Sequence, residues 1–200
     1  MGLITFSGAS AVGKSSVAQL LLKSSDVYQL LLSTTTRPPR ATDLPGEYEY
    51  LSSEEFQQRQ DFLWQTEVHG NHYGTSKKLL DEAINSSKQS ILILIPQVLG
   101  TLRKYLKEQG VPNRSRYLRS YYILSPLGPI LRERLQQRGD SPEVIEKRLQ
   151  DCRDWDSQAR ESPFPYVYVT NNGTLLETLD EIQSWESGIL SAIARSYSNE

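Results

Sequence analysis

The residues with the clearest chemical signature lie near the start of the chain. The segment GASAVGKS, from Gly8 to Ser15, matches the phosphate-loop pattern GxxxxGK[ST]. In this pattern the backbone wraps around a β-phosphate, the lysine reaches the β- and γ-phosphates, and the serine hydroxyl binds Mg²⁺. We therefore predict an ATP site with Lys14 as a catalytic cation and Ser15 as the Mg²⁺ ligand. The predicted ATP-binding residues are Gly8, Ala9, Ser10, Ala11, Val12, Gly13, Lys14, Ser15 and Ser16.

A second cluster suited to phosphate is STTTRPPR, residues 33–40. Its two arginines lie three residues apart beside hydroxyl side chains, and prolines stiffen the loop between them. Guanidinium groups bind phosphate in bidentate fashion, whereas an isolated basic turn can also be merely solvated. Beside a phosphate loop, the cluster predicts a small phosphorylated acceptor, because a kinase needs two phosphate-binding sites that face each other.

Apolar runs alternate with helical patterns along the chain. This alternation favours an α/β fold with a largely parallel sheet, whose strands and helices would position the two motifs. The segment 33–75 is different in character: we expect a loop, a short edge strand at 48–51, a helix capped near Ser52 or Ser53, and a hairpin around Gly70. Elsewhere we predict strands at 3–6, 27–32, 90–95, 119–124 and 166–170, and helices at 14–23, 76–86, 98–109, 127–138, 142–160 and 175–193.

Length and composition limit the classes of protein that fit. Two hundred residues suit one α/β domain with insertions, and a net charge of -2 gives no reason to expect nucleic acid or an acidic membrane as partner. No segment approaches the roughly 20 apolar residues that span a bilayer. Cys152 is the single cysteine, which excludes an internal disulfide and fits a reducing compartment. We therefore expect a cytoplasmic protein; the sequence does not indicate an oligomeric state.

Four segments appear in the order typical of one known family. They are GASAVGKSS, STTTRPPR, EVHGNHYGTS and RLQQRGDSPEVIEKRL, and over roughly residues 3–180 the chain resembles the guanylate kinase family. The resemblance implies a P-loop NTPase three-layer core with a parallel sheet, formed by residues 1–32, 76–126 and 163–200. It also implies a small β-rich acceptor-binding insert at 33–75, a helical lid at 127–162, and phosphoryl transfer from ATP–Mg²⁺ to GMP.

The resemblance also implies roles for individual residues. By position, Arg134, Arg138 and Arg148 match the arginines that close on the transferring phosphoryl group, although such a pattern alone could be a solvated helix face. The remaining matches lie in the acceptor site. The residues that match the family's ligands of the acceptor phosphate are Ser33, Arg37, Arg40, Tyr48 and Tyr73. Asp43 matches an acidic position of the acceptor loop, and Thr75 matches a residue near the base.

One departure from the family concerns recognition of the base. Trp64 stands where the family has a glutamate that accepts hydrogen bonds from guanine, and tryptophan has a single N–H donor and no acceptor. Trp64 either lines the acceptor pocket or packs in the core. Glu67 could supply the missing carboxylate only if the strand is bulged, because residues three apart on a strand point to opposite faces. Guanine specificity is therefore in question, while phosphate binding looks intact.

A second departure lies at the end of the strand SILILI. The family has D-x-D there, whereas this chain has Ile93 and Ile95, which we predict to be core residues. Two alternatives to GMP phosphorylation follow. A kinase for ribose 1,5-bisphosphate, within the same superfamily, also lacks the glutamate and the aspartate pair, so a phosphorylated sugar is one alternative acceptor. The other is a non-catalytic module that binds phosphorylated ligands, although such modules usually lose the phosphate loop.

Overall fold

The computed structural model of the chain describes residues 2–111 and 117–197, with side chains described as far as residue 188. The polar connection from Gly110 to Ser120 includes residues 112–116, which lie outside this range. The strands are β1 (Leu3–Ser7), β2 (Tyr28–Leu30), β3 (Ser33–Thr35), β4 (Tyr48–Tyr50), β5 (Phe62–Val68), β6 (Asn71–Ser76), β7 (Gln89–Ile93), β8 (Leu118–Leu124) and β9 (Val167–Thr170). The helices are α1 (Lys14–Ser24), α2 (Ser53–Gln58), α3 (Lys77–Ile84), α4 (Leu99–Glu108), α5 (Gly128–Gln137), α6 (Pro142–Arg160) and α7 (Leu175–Tyr197), with a 3₁₀ turn at Pro96–Val98.

The larger sheet has five strands in the order β2-β7-β1-β8-β9. The pairs β2–β7 and β8–β9 are parallel, as expected for strands that alternate with helices. Strands β1 and β8 are buried along nearly their whole length. In β1 this burial explains the largely apolar run of residues 3–6, whereas β8 also buries Arg119 and Ser120. The predicted α/β fold with a parallel sheet is therefore confirmed.

The smaller sheet has four strands in the order β4-β3-β6-β5. Strands β5 and β6 form the predicted antiparallel hairpin, whose turn places His69 and Gly70 at φ values of 51° and 74°. The prediction of a loop directly after residue 32 is wrong, because Ser33–Thr35 form β3 and pair with both β4 and β6. The threonines are compatible with a strand, but the polar, proline-bearing residues that follow favoured a loop. The pairing depends on partners far away in the chain.

Helix ends follow the local sequence closely. Ser52 caps α2 through a capping box in which its hydroxyl accepts from the Glu55 backbone N–H and the Glu55 carboxylate accepts from the Ser52 backbone N–H. At α6 the Ser141 hydroxyl accepts from the Val144 N–H, with Pro142 in the first turn, but the valine cannot complete a capping box. The chain leaves α5 at Gly139, whose φ of 80° is readily adopted only by glycine.

The chain divides into two compact units. Unit one contains residues 1–5 and 21–119, and unit two contains residues 6–20 and 120–200. The core of unit one includes the fully buried Leu80, Leu92 and Leu99, whereas in unit two Phe6 packs on Tyr121 with ring centroids 5.8 Å apart. Across the described residues, we find no helix with the length and apolar character needed to span a membrane.

Candidate active site

The phosphate loop lies in unit two, between the end of β1 at Ser7 and the start of α1 at Lys14. Positive φ values of 139° at Gly8, 65° at Ala11 and 103° at Gly13 bend the backbone into a tight loop. Glycine is required at two of these positions for space as well. A Cβ atom on Gly8 would lie 2.4 Å from the Ile123 carbonyl oxygen, and one on Gly13 would lie 2.3 Å from Asn171 Nδ2. The sequence pattern therefore has the backbone shape that phosphate binding needs.

Lys14 folds back over this loop. Its Nζ donates to the carbonyl oxygens of Gly8 and Ala9, at 2.8 Å and 2.6 Å. The side chain is half-buried, so the ammonium group is held at the loop rather than extended into solvent. This is the position from which a lysine can reach a bound phosphate.

Arg148, on α6, contacts the same loop. Its Nη1 donates to Ser10 Oγ at 3.0 Å and lies 3.2 Å from Asp140 Oδ2. Because Asp140 directly precedes the Ser141 cap of α6, the ion pair ties the arginine to the start of its own helix. The loop thus has a second cation beside Lys14.

Arg134, on α5, is held by the loop that follows β9. Its Nη2 donates to the backbone oxygen and to Oδ1 of Asn171, at 3.2 Å and 3.3 Å. Its Nη1 is buried and has no hydrogen-bond partner in the described structure, and burial lowers the pKa of the guanidinium. A buried donor without an acceptor is costly, so this atom is suited to an anionic ligand. Arg138 differs: it lies at the C-cap of α5 with an exposed side chain.

Asn171 is a residue that the sequence analysis missed. It is fully buried, and its Nδ2 donates to the Val12 carbonyl oxygen at 2.8 Å. A usable signal was present, because Asn171 directly follows the last strand and polar residues at the carboxyl ends of parallel strands commonly face ligands. The asparagine links the phosphate loop to Arg134.

These residues fit a nucleoside triphosphate with Mg²⁺. The loop offers backbone N–H groups and a glycine-lined surface, while Lys14, Arg134 and Arg148 supply positive charge. Among the residues described, no three His, Cys, Asp or Glu side chains form a metal site. Mg²⁺ does not need one, since it commonly keeps several waters and is bound by one or two protein groups plus substrate phosphates. The Ser15 hydroxyl, at the start of α1, is the protein group suited to that role.

The predicted acceptor residues lie in unit one, and several share one face of the small sheet. Strand register places opposite residues on the same face, and residues two apart in a strand also share a face. The pairs Ser33–Tyr48, Thr35–Tyr50, Thr35–Tyr73 and Trp64–Thr75 define this surface, which we call the acceptor face. With Thr66, which pairs with Tyr73, it comprises Ser33, Thr35, Tyr48, Tyr50, Trp64, Thr66, Tyr73 and Thr75. The pair Val68–Asn71 continues the same side of the hairpin to its turn, and we do not count it in the acceptor face.

Arg37 extends beside this face and is oriented by Asp43. Its Nη2 donates to Asp43 Oδ1 at 2.8 Å, and its guanidinium lies over the Tyr48 ring, 5.2 Å from the centroid. Burial opposes the charge on Asp43, but hydrogen bonds from Arg37, Tyr50 and the Arg40 backbone outweigh it and lower the pKa of the carboxyl. Asp43 therefore remains an anion that fixes the arginine.

Tyr50 is a second residue that the sequence analysis missed. Its hydroxyl donates to Asp43 Oδ2 at 2.7 Å, and burial together with this hydrogen bond raises the pKa of Tyr50 to about 12. Arg40 is placed differently from Arg37. Its side chain is exposed, while its backbone N–H donates to Asp43 Oδ2 at 2.7 Å. Arg37, Arg40 and Tyr50 thus all donate hydrogen bonds to the carboxylate of Asp43.

Trp64 is largely buried, with 9% of its surface exposed, and it lies opposite Thr75 on the acceptor face. The pairing of β5 with β6 is irregular only between Phe62 and Trp64; from Trp64 to Val68 the register is regular. Glu67 therefore lies on the opposite face, pairs with His72 and is exposed. The bulge that would bring Glu67 beside Trp64 is not present in this strand.

Ile93 and Ile95 lie at the carboxyl end of β7. They alternate with Leu92 and Leu94, which are 0% and 7% exposed, whereas both isoleucines are only half-buried. The prediction that they are core residues is wrong. Ile91, two residues earlier on the same face as Ile93, is 0% exposed, so the partial exposure begins only where β7 ends. The two isoleucines therefore occupy partly open positions at the carboxyl end of the strand, where α/β sheets bind ligands.

Comparison with known proteins identifies the family. The family model for guanylate kinase matches residues 1–186. A guanylate kinase of Polaromonas sp. (strain JS666) is 39% identical over 173 residues, covering 82% of this chain and 78% of the relative. A guanylate kinase of Synechocystis sp. (strain PCC 6803) is 37% identical over 175 residues, covering 85% of this chain and 86% of the relative. The chain belongs to the guanylate kinase family.

The fold agrees with this membership. The crystal structure of guanylate kinase from Anaplasma phagocytophilum superposes with a TM-score of 0.63 at 24% identity, covering 96% of this chain and 85% of that one. As a member of the guanylate kinase family the chain is an ATP-dependent nucleotide kinase, which confirms the sequence-based prediction of a phosphotransferase. The roles of individual residues remain predictions.

Proposed function

We propose that the chain transfers the γ-phosphoryl group of ATP to the phosphate of a nucleoside monophosphate, with GMP as the expected acceptor. The observation that carries this proposal is the convergence of Lys14, Arg148 and, through Asn171, Arg134 on one phosphate loop. Positive charge beside a transferring phosphoryl group stabilises the negative charge of its transition state. The names of the relatives support GMP as acceptor.

The division of labour would follow the three predicted segments of the chain. Residues 33–75 would hold the acceptor, with Arg37 oriented by Asp43 toward its phosphate and Ser33, Tyr48 and Tyr73 providing hydroxyl donors. Residues 127–162 would close over the donor through Arg134, Arg138 and Arg148. The remaining residues of the predicted core would carry the phosphate loop.

Mg²⁺ bound to the triphosphate would neutralise charge on the β- and γ-phosphates. Ser15 is the residue expected to contact the metal ion, and Lys14 would reach the same phosphates. The isoleucines at positions 93 and 95 offer no ligand atoms, so water and phosphate oxygens would complete the coordination. A cytoplasmic location is expected, in keeping with the need for ATP and a single buried cysteine.

The two alternatives receive no support from the comparisons. The relatives described above are guanylate kinases, and the phosphate loop with Lys14 and Ser15 is retained, unlike in most binding modules. Acceptor kinetics provide the test. Purified protein is incubated with ATP–Mg²⁺ and GMP, and both ADP and GDP are measured. Equal, GMP-dependent formation of the two products supports the proposal, whereas GMP-independent ADP release, or no turnover, contradicts it.

A further inference from the structure

The acceptor face carries hydroxyl groups and one indole. Its members are serine, threonine, tyrosine and tryptophan side chains, so none of these strand positions presents a carboxylate. Trp64 occupies the position at which the family has a base-reading glutamate. With only 9% of its surface exposed, the indole fills space on this face rather than projecting a polar group into it.

The carboxylates that lie near this face are already engaged. Asp43 accepts from Arg37, Tyr50 and the Arg40 N–H. Glu47 is 4% exposed, and its Oε2 accepts from the Leu44 N–H at 3.1 Å.

Two further carboxylates in the same strands point the other way. Glu49 pairs with Thr34 in register and accepts from Thr34 Oγ1 and from Arg59, so it belongs to the opposite face, as does Glu67. Among the residues that the structure describes, the strands of the acceptor face therefore offer a base no anionic hydrogen-bond acceptor.

A missing carboxylate affects which purines the site can distinguish. Guanine presents a ring N–H and a 2-amino group, whereas hypoxanthine has the ring N–H and the same 6-oxo group but no 2-amino group. A hydrogen bond to a charged group contributes about 1.5–3 kcal/mol and one between neutral groups about 0.5–1.5 kcal/mol. Hydroxyls such as those of Ser33 and Thr75 can bind the 6-oxo group, but they distinguish the 2-amino group far less than a carboxylate would.

We infer that the acceptor site recognises 6-oxopurine nucleoside monophosphates as a class and does not read the 2-amino group. GMP and IMP are then phosphorylated with similar efficiency. The inference rests on the proposed function, since it concerns the acceptor of the same transfer. A carboxylate at position 64 would distinguish GMP from IMP, and Trp64 does not.

The first test needs no variant. Values of kcat/KM for GMP and for IMP are measured on the wild-type chain at saturating ATP–Mg²⁺. A preference for GMP below about tenfold supports the inference, because one charged hydrogen bond would be worth tenfold or more. A preference of about tenfold or more overturns it. Absence of turnover with either acceptor contradicts the proposed function itself, so the two failures are distinguishable.

The second test restores a carboxylate. Trp64→Glu is expected to raise the GMP-to-IMP preference by about tenfold or more relative to wild type. Gln65→Glu is the matched control, because Gln65 is the next residue of β5, is exposed and points to the opposite face. That control is expected to leave the preference unchanged. Circular dichroism and thermal melting establish that each variant is folded.

A folded Trp64→Glu protein whose preference equals that of wild type, or a Gln65→Glu protein whose preference rises equally, overturns the inference. In either case position 64 would not face the purine edge. If Trp64→Glu does not fold, the wild-type ratio of GMP to IMP decides by itself, since that measurement is independent of any substitution.

Discussion

Asn171 and Val12 are joined by a hydrogen bond of 2.8 Å from the asparagine Nδ2 to the Val12 carbonyl oxygen. The same amide accepts from Arg134 at 3.3 Å and from Thr178 Oγ1 at 3.4 Å. A fully buried side chain with both ends occupied has little freedom to move. The shape of the phosphate loop and the orientation of Arg134 therefore depend on one amide group.

Asn171→Asp keeps the shape of this side chain but removes its N–H donor. The carboxylate would face the Val12 carbonyl oxygen, so the loop loses a hydrogen bond and gains a repulsion. We expect kcat/KM for ATP to fall by about tenfold to a hundredfold, as small displacements of positioning groups commonly cause. Steady-state kinetics and the binding of a non-hydrolysable ATP analogue measure the effect.

The control for this variant is Asn85→Asp, which makes the same chemical change at the C-cap of α3 in unit one. Its ATP kinetics should match those of wild type. Equal kinetics for Asn171→Asp and wild type would show that the loop does not depend on the amide.

Arg134→Ala removes the arginine whose Nη1 is buried without a partner. If this atom meets the transferring phosphoryl group, kcat should fall by about a hundredfold to a thousandfold, with a smaller change in the KM for ATP. Arg132→Ala is the matched control. Arg132 lies on the same helix, with its Nη1 hydrogen-bonded to Glu146 Oε1, and should leave kcat nearly unchanged. Comparable losses in the two variants would argue against a specific role for Arg134.

Lys14→Ala should abolish transfer, lowering kcat by at least about a hundredfold, because it removes the cation held at the Gly8 and Ala9 carbonyl oxygens, where the phosphates are expected to bind. Lys23→Ala, in the last turn of the same helix and exposed, is the control and should retain activity. The ADP- and GDP-release assay measures both. Turnover by Lys14→Ala at a rate close to that of wild type would remove the phosphate loop from the mechanism.

Asp61 provides a prediction for acid stability. A hydrogen bond from Arg59 lowers the pKa of Asp61 to about 2 in the folded chain, below the ordinary value of about 3.9. Because the folded-state pKa is depressed, the stabilisation is fully present above about pH 4 and is lost as the pH falls through about 2. The side chain is 45% exposed, so the contribution is under about 1 kcal/mol.

Urea denaturation of wild type and Asp61→Asn measures this contribution. The difference in the free energy of unfolding should be constant from pH 5 to 7, decrease below about pH 4 and vanish below about pH 2. A difference that persists unchanged at the acid end would mean that Asp61 stabilises the chain by contacts other than its charge.

Local sequence determined much of the secondary structure. A helix capped near Ser52 or Ser53, the hairpin around Gly70 and the long helix at Pro142–Arg160 were all predicted, because each depends on residues close together in the chain. The phosphate loop was predicted for the same reason. Its glycines, lysine and following helix lie within one continuous segment.

Other features could not be predicted locally. The segment 33–35 looked like a loop, yet Thr35 Oγ1 donates to the His72 carbonyl oxygen at 2.9 Å and the segment pairs on both sides. Asn171 escaped notice because its partners, Val12 and Arg134, are remote in sequence. The half-exposure of Ile93 and Ile95 likewise depends on where β7 ends within its sheet.

The sequence by itself determined that this protein carries a phosphate-loop pattern near its start and has Trp64 where the resemblance predicts a base-reading glutamate, because both follow from residue types at contiguous positions. Tertiary structure alone decided that Trp64 is buried opposite Thr75 and that Glu67 points away from it. It also decided that Asn171 joins the phosphate loop to an arginine. Strand register and long-range hydrogen bonds bring together residues separated by many positions. A shift of one residue in the register of β5 would move Trp64 and Glu67 each to the other face of the sheet.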